Sequence, residues 1–232
     1  MFFSAGGEAV ENAIKVARYH TKRPALITFT NGYHGRSYMG MALSARMVPF
    51  KQGFGPFPGE IFRLPFPDAF RGITLEDTKQ AFETLFRSDC PPDQIAAIFV
   101  EPVQGEGGIF PADYTYLHGL REAADEFGAL LVFDEVQCGT GRTGKLWAYE
   151  WAGVAPDVMA LAKGLGGGFP VGAVLATKLP WEEVNRLMMG GFVVPAVWAL
   201  GALHATADLR LLRVLGAPIV VFTVFAGLYL AL

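Results

Sequence analysis

Fold and chemistry are legible together in the stretch Val158-Met159-Ala160-Leu161-Ala162-Lys163-Gly164-Leu165-Gly166-Gly167-Gly168. A short, continuously apolar run without polar alternation is what a strand buried on both faces requires. The run ends in a lysine followed by glycines, which let a ligand approach the backbone and suit an amine that must become a nucleophile. Upstream, a second apolar run over residues 129–133 ends in Asp134-Glu135-Val136-Gln137.

Working outward, helical and strand patterns alternate. Residues 8–19 read as a helix with Val10, Ala13, Ile14 and Ala17 on one stripe, and residues 25–30 as a strand. Residues 75–86 and 114–127 read as helices; 95–100, 129–133, 158–161 and 171–176 read as strands. This alternation predicts an α/β domain with a mostly parallel sheet covered by helices on both faces, and functional residues at the carboxyl ends of its strands. The Pro- and Gly-rich stretch 49–67 has neither period and reads as one long ordered loop.

After residue 178 the character changes. Residues 190–203 and 214–232 are strongly apolar, and the second run carries no charge and reaches the length of a membrane span, although Gly216, Pro218 and Gly227 weaken it as a helix in water. The expected division is therefore a domain over 1–178 and an apolar tail over 179–232 with a possible membrane segment at 214–232.

With 232 residues and 52% hydrophobic content, the chain has ample material for a core. A formal charge of −3 without a long basic run argues against nucleic acid as a partner. Cys90 and Cys138 form no Cys-x-x-Cys pattern, and His20, His34, His118 and His204 show no ligand spacing, so no metal is expected. A reducing, cytoplasmic compartment fits best, with membrane association through 214–232 as the alternative; the N-terminus has no secretory signal pattern.

Five short motifs carry chemistry. An acid and a lysine at the ends of two strands are what a pyridoxal phosphate site requires: Asp134 for the pyridinium nitrogen and Lys163 for the aldehyde. Ser4-Ala5-Gly6-Gly7-Glu8 opens a helix and is a plausible phosphate cradle, although taken alone N-capping by Ser4 is the favoured reading. In Asn31-Gly32-Tyr33-His34-Gly35-Arg36 the Tyr33 ring can stack on a planar cofactor and Arg36 can grip a carboxylate, while His34 has no evident partner. The stretch Glu101-Pro102-Val103-Gln104-Gly105-Glu106-Gly107-Gly108 holds a carboxylate that could pair with a mobile arginine. Gly139-Thr140-Gly141-Arg142-Thr143-Gly144-Lys145-Leu146 matches two nucleotide motifs, but Leu146 stands where a magnesium ligand belongs, so it reads as a turn.

In this order the residues resemble the class III aminotransferases, pyridoxal phosphate enzymes of fold type I. The resemblance covers roughly 1–178 and is closest in kind to 4-aminobutyrate transaminases, with acetylornithine and ornithine transaminases as competitors. It implies that Lys163 forms the internal aldimine, Asp134 pairs with the pyridine nitrogen, Gln137 contacts the ring hydroxyl, Gly6 and Gly7 hold the phosphate and Tyr33 stacks on the ring. Arg36 would bind the substrate carboxylate and Glu106 would be the switching carboxylate. The implied reaction is ping-pong transfer from an amino donor, an ω-amino acid, to a 2-oxo acid such as 2-oxoglutarate, by a homodimer in the full-length family.

The pattern departs from the family at both ends. The segment that precedes the phosphate glycines and the C-terminal domain with the arginine partner of the switching glutamate are not found, which predicts poor catalysis by the isolated chain. The competing readings are a racemase or aminomutase on the same fold, a non-catalytic membrane or interaction protein with a vestigial domain, and a nucleotide-binding module.

Overall fold

The computed structural model describes residues 1–177; the apolar tail, with its candidate membrane segment at 214–232, lies outside the described residues. Among the described residues no helix is long and apolar enough to cross a membrane.

The chain opens with strand β1 (Phe2–Phe3) and helix α1 (Gly6–Thr21), then β2 (Ala25–Phe29), α2 (Tyr38–Leu43), β3 (Ile61–Leu64) and α3 (Leu75–Ser88). It continues with β4 (Ile95–Val100), β5 (Val103–Gln104), β6 (Phe110–Pro111), α4 (Tyr114–Phe127), β7 (Leu130–Asp134), β8 (Val158–Leu161) and β9 (Gly172–Ala176). Local chemistry sets the helix ends. Thr74 and Asp77 form a reciprocal capping box at α3, and Asp113 accepts the amides of Thr115 and Tyr116 at α4, which stops at left-handed Gly128.

Seven strands form one sheet in the order β1-β9-β8-β7-β4-β2-β3. The block from β3 to β8 is parallel, whereas β9 runs antiparallel to β8, and β1 antiparallel to β9. Strands β2, β4, β7 and β8 are buried along their whole length, the reason they read as unbroken apolar runs.

Alternate strand residues feed two cores. Ile27, Ile98, Leu131 and Phe133 pack with Leu117 and Leu120 of α4 and with Leu85 of α3. Leu26, Phe99, Leu130 and Val132 pack with Ala9, Val10, Ala13, Ile14 and Ala17 of α1. Between β2 and β4 the register slips, Ala25 facing Ile95 but Leu26 facing Ala97. That bulge is why Ala96 and Ala97 fall in the same core.

The α/β expectation with helices on both faces matches this architecture, with two corrections. Stretch 49–67 is not all loop: β3 lies inside it, paired in parallel with β2 from Leu26↔Ile61 to Phe29↔Leu64. At four residues, interrupted by Arg63 and placed at the sheet edge, β3 has no period of its own. Nor does Ser4 cap α1. The N-cap residue is Ala5 with no side-chain cap, because Glu8 Oε2 instead accepts the Ser4 amide at 2.7 Å.

Asp157 fastens the sheet to α4. Its buried carboxylate accepts from the Leu131 amide and from Arg121 Nη1, both at 2.8 Å. Asp157→Ala should lower stability by about 1–3 kcal/mol, because two donors lose their charged acceptor, although Arg121 keeps Asp125. Chemical denaturation of the purified chain measures the change.

Candidate active site

Parallel pairing brings four strand ends to one edge of the sheet. Beyond β2 comes the turn 30–36, beyond β4 Glu101, at the end of β7 Asp134 and beyond β8 Lys163. Because β9 and β1 run antiparallel, the chain between β1 and α1 returns to the same edge and delivers the start of α1 there. A Cβ on Gly6 would lie 2.9 Å from Val136 Cγ1 and 3.2 Å from Ala162 Cβ, so only glycine lets the helix start sit this close to the ends of β7 and β8.

The result is a cavity of about 410 Å³ lined by all eight residues singled out in the sequence: Gly6, Gly7, Tyr33, Arg36, Glu106, Asp134, Gln137 and Lys163. Its volume is within the range of small-molecule sites. Lys163 is exposed and adopts φ 48°, a left-handed conformation costly for a side chain with a Cβ. Gln137 contributes an Oε1 that is buried without a hydrogen-bond partner among the described residues. Exposed Arg36 donates from Nε to the Tyr33 hydroxyl at 3.2 Å and lies over the Phe50 ring at 5.4 Å. Phe50 also packs against Tyr33, with ring centroids 5.1 Å apart, so the loop after α2 backs the Tyr33 ring.

Two residues at this site had no signal in the sequence. His34 is buried, with Nδ1 2.9 Å from Asp134 Oδ2 and Nε2 3.3 Å from Thr28 Oγ1. Asp134 thus meets the imidazole on one oxygen and the Val136 amide at 3.1 Å on the other. Burial disfavours the imidazolium, yet the bond and charge of Asp134 and the charge of Glu101 outweigh burial and the repulsion of Arg63, so the His34 pKa is raised. Glu101, read from sequence only as the start of a glycine loop, is 3% exposed. Burial, assisted by Asp134 and opposed by His34 and two backbone amides, raises its pKa to about 7. A sequence offers no sign of either, since their partners stand up to 100 positions away.

Other acids and lysines nearby have structural work. Buried Glu135 accepts the amides of Ala148 at 2.7 Å and Tyr149 at 2.9 Å. Lys145 donates to the Glu150 carbonyl at 3.0 Å and lies over Trp151, and its loop turns through positive φ at Thr140, Gly141 and Gly144. That stretch is a turn packed beside Gly164, where an added Cβ would lie 3.2 Å from Thr140 Cβ. Among the described residues no group of His, Cys, Asp or Glu could hold a metal.

The model of the family "Aminotransferase class-III" matches residues 1–202. The chain is 48% identical over 191 residues to a 5-aminovalerate aminotransferase from Pseudomonas putida, covering 82% of this chain and 44% of that protein. It is 39% identical over 214 residues to a 4-aminobutyrate aminotransferase from Escherichia coli, covering 92% of this chain and 49% of that protein. Among solved structures it resembles a pyridoxal phosphate-bound amine transaminase from an uncultivated Pseudomonas species, with TM-score 0.70 and 31% identity over 82% of this chain and 45% of the other. The chain spans about half the length of the curated relatives it matches.

The pair at Asp134 has a measurable pH signature. Because the His34 pKa is raised in the folded state, its ion pair stabilises the fold fully below the unfolded value of 6.5 and the contribution is lost as pH rises through the folded value. His34→Gln keeps a polar side chain but cannot be charged. Its stability deficit against wild type should be about 1–3 kcal/mol at pH 6 and below, shrinking above pH 6.5; denaturation curves across pH report it.

Proposed function

We propose a transamination role for this chain, which belongs to the class III aminotransferases: transfer of the amino group of an ω-amino acid such as 4-aminobutyrate to a 2-oxo acid such as 2-oxoglutarate, in alternating half-reactions. The observation that carries it is the convergence of an exposed lysine, a buried aspartate, an unsatisfied glutamine oxygen and an uncapped helix start on one cavity.

Pyridoxal 5'-phosphate is the cofactor of this family. When bound it supplies an aldehyde that condenses with amines and a protonated pyridine ring that accepts electrons from bonds at the substrate's amine-bearing carbon. The residues present fit it. The start of α1 offers backbone N–H groups and the positive end of the helix dipole, with no side chain competing for them, to a phosphate. Asp134, at 3% exposure, offers a buried carboxyl group to a pyridinium N–H, and Gln137 Oε1 is an acceptor without a donor among the described residues, suited to a ring hydroxyl.

These positions support the following roles. Lys163 would hold the cofactor, and its amine would take and return a proton at the substrate carbon. Its backbone is left-handed and the residue lines the cavity. Asp134 would pair with the pyridine nitrogen, and His34 holds Asp134 in place. Tyr33 supplies an aromatic face, and Arg36 at the cavity wall is placed to receive a substrate carboxylate. Glu106 lines this cavity and a neighbouring one of about 280 Å³, so it stands where a second substrate charge would arrive.

The relatives that act on 4-aminobutyrate and 5-aminovalerate support an ω-amino donor. Borohydride treatment of the purified chain with pyridoxal phosphate, followed by peptide mapping, should label Lys163, and Lys163→Ala should abolish that label; folded wild-type protein that takes no label there would overturn the reading. Glutamate formation from 2-oxoglutarate, compared among 4-aminobutyrate, 5-aminovalerate and N-acetylornithine, then identifies the donor, and preference for the last would replace the ω-amino acid assignment.

A further inference from the structure

Glu101 sits one residue past the end of β4, buried, and each of its two carboxylate oxygens is taken by a different loop. Oε2 accepts the Tyr33 amide at 2.9 Å, and Oε1 accepts the Gly105 amide at 3.1 Å. Tyr33 belongs to the turn after β2, and Gly105 immediately precedes Glu106. The second loop is in turn seated on Gln137: a Cβ on Gly105 would lie 2.3 Å from Gln137 Cγ and 2.9 Å from its Cδ. One side chain therefore connects the backbone of the aromatic wall, the backbone beside Glu106 and, through Gly105, the glutamine at the cavity floor.

We propose that Glu101 is a positioning residue that clasps the Tyr33 turn to the Gly105–Glu106 loop, fixing the distance between the groups that face the cofactor ring and the group that faces the substrate. Only a carboxylate suits the position. Two amide donors need two acceptors on one short side chain, and a glutamine would present an NH2 donor to one of them. A buried carboxylate is costly unless its lone pairs are occupied, and here both oxygens are. The roles of Tyr33 and Glu106 rest on the transaminase reading; the clasp itself does not.

The test uses the full chain without cofactor. Residue-resolved amide hydrogen exchange is compared between wild type and Glu101→Gln, which preserves shape and removes one acceptor. Exchange at the Tyr33 amide, the Gly105 amide or both should accelerate about tenfold, with amides inside β4 and β7 unchanged. Unchanged rates at both amides, or a uniform acceleration through β4 and β7, would overturn the proposal.

A second measurement needs no variant. The charges that act on Glu101 are those of His34 and Asp134. If one carboxyl accepts both bonds, the amide proton shifts of Tyr33 and Gly105 in wild-type protein follow pH with one shared midpoint, and two different midpoints would overturn the clasp. Neither measurement involves pyridoxal phosphate, so a clasp that responds as expected in a chain that takes no label at Lys163 separates failure of the transaminase reading from failure of this one.

Discussion

Asp134 and Glu101 stand at the carboxyl ends of neighbouring parallel strands with almost no access to water, and the turns around them are shaped by the need to satisfy their charge. Burying an ionised carboxylate costs several kcal/mol, roughly, unless donors converge on it. The sheet cannot supply those donors, because its own amides are committed to the ladder. They come from the loops instead: the Tyr33 and Gly105 amides for Glu101, and His34 with the Val136 amide for Asp134. The site is assembled as a consequence. Loops far apart in sequence are drawn to one edge because two acids there require them.

A second constraint is how closely backbone can approach that edge. The antiparallel pair β9 and β1 folds the N-terminal chain back so that α1 begins beside Val136 and Ala162. With no side chain at Gly6, the positive end of the helix lies against the strand ends that carry the acid and the lysine. Lys163 adds the reverse case, a residue that accepts a left-handed backbone despite its Cβ. Strain of this kind persists where the surrounding structure over-determines it, and here it falls on a residue that lines the cavity.

Legibility followed burial. Strands β2, β4, β7 and β8 were evident because both faces are covered and all but Thr28 and the terminal Asp134 are apolar, and α1, α3 and α4 because each buries one stripe. Elements held by distant partners were not. Helix α2 spans only six residues, too few for a period. Strand β3 is defined by its register on β2, and its Arg63 donates to the carbonyls of Ala42, Leu43 and Ser44 at the end of α2. Neither relation leaves a mark in residues 38–64 themselves. His34 is the clearest case: adjacent to Tyr33 in sequence, it is meaningful only beside Asp134, a hundred positions on.

What the sequence determined by itself was the order of buried strands and the residues at their ends, because apolar runs and the glycines, acids and lysine that stop them are properties of contiguous chain. Together with the resemblance to the class III aminotransferases, that suffices to name Lys163, Asp134, Gln137, Gly6, Gly7, Tyr33, Arg36 and Glu106 as candidates. Only the tertiary structure decided that they share one cavity, that Ala5 leaves the helix uncapped where Ser4 might have closed it, and that His34 and Glu101 support the site from beneath. The reason is electrostatic. Whether a buried charge is tolerated depends on donors brought from other strand ends, and strand order is fixed by which apolar faces pack together rather than by any local run of residues.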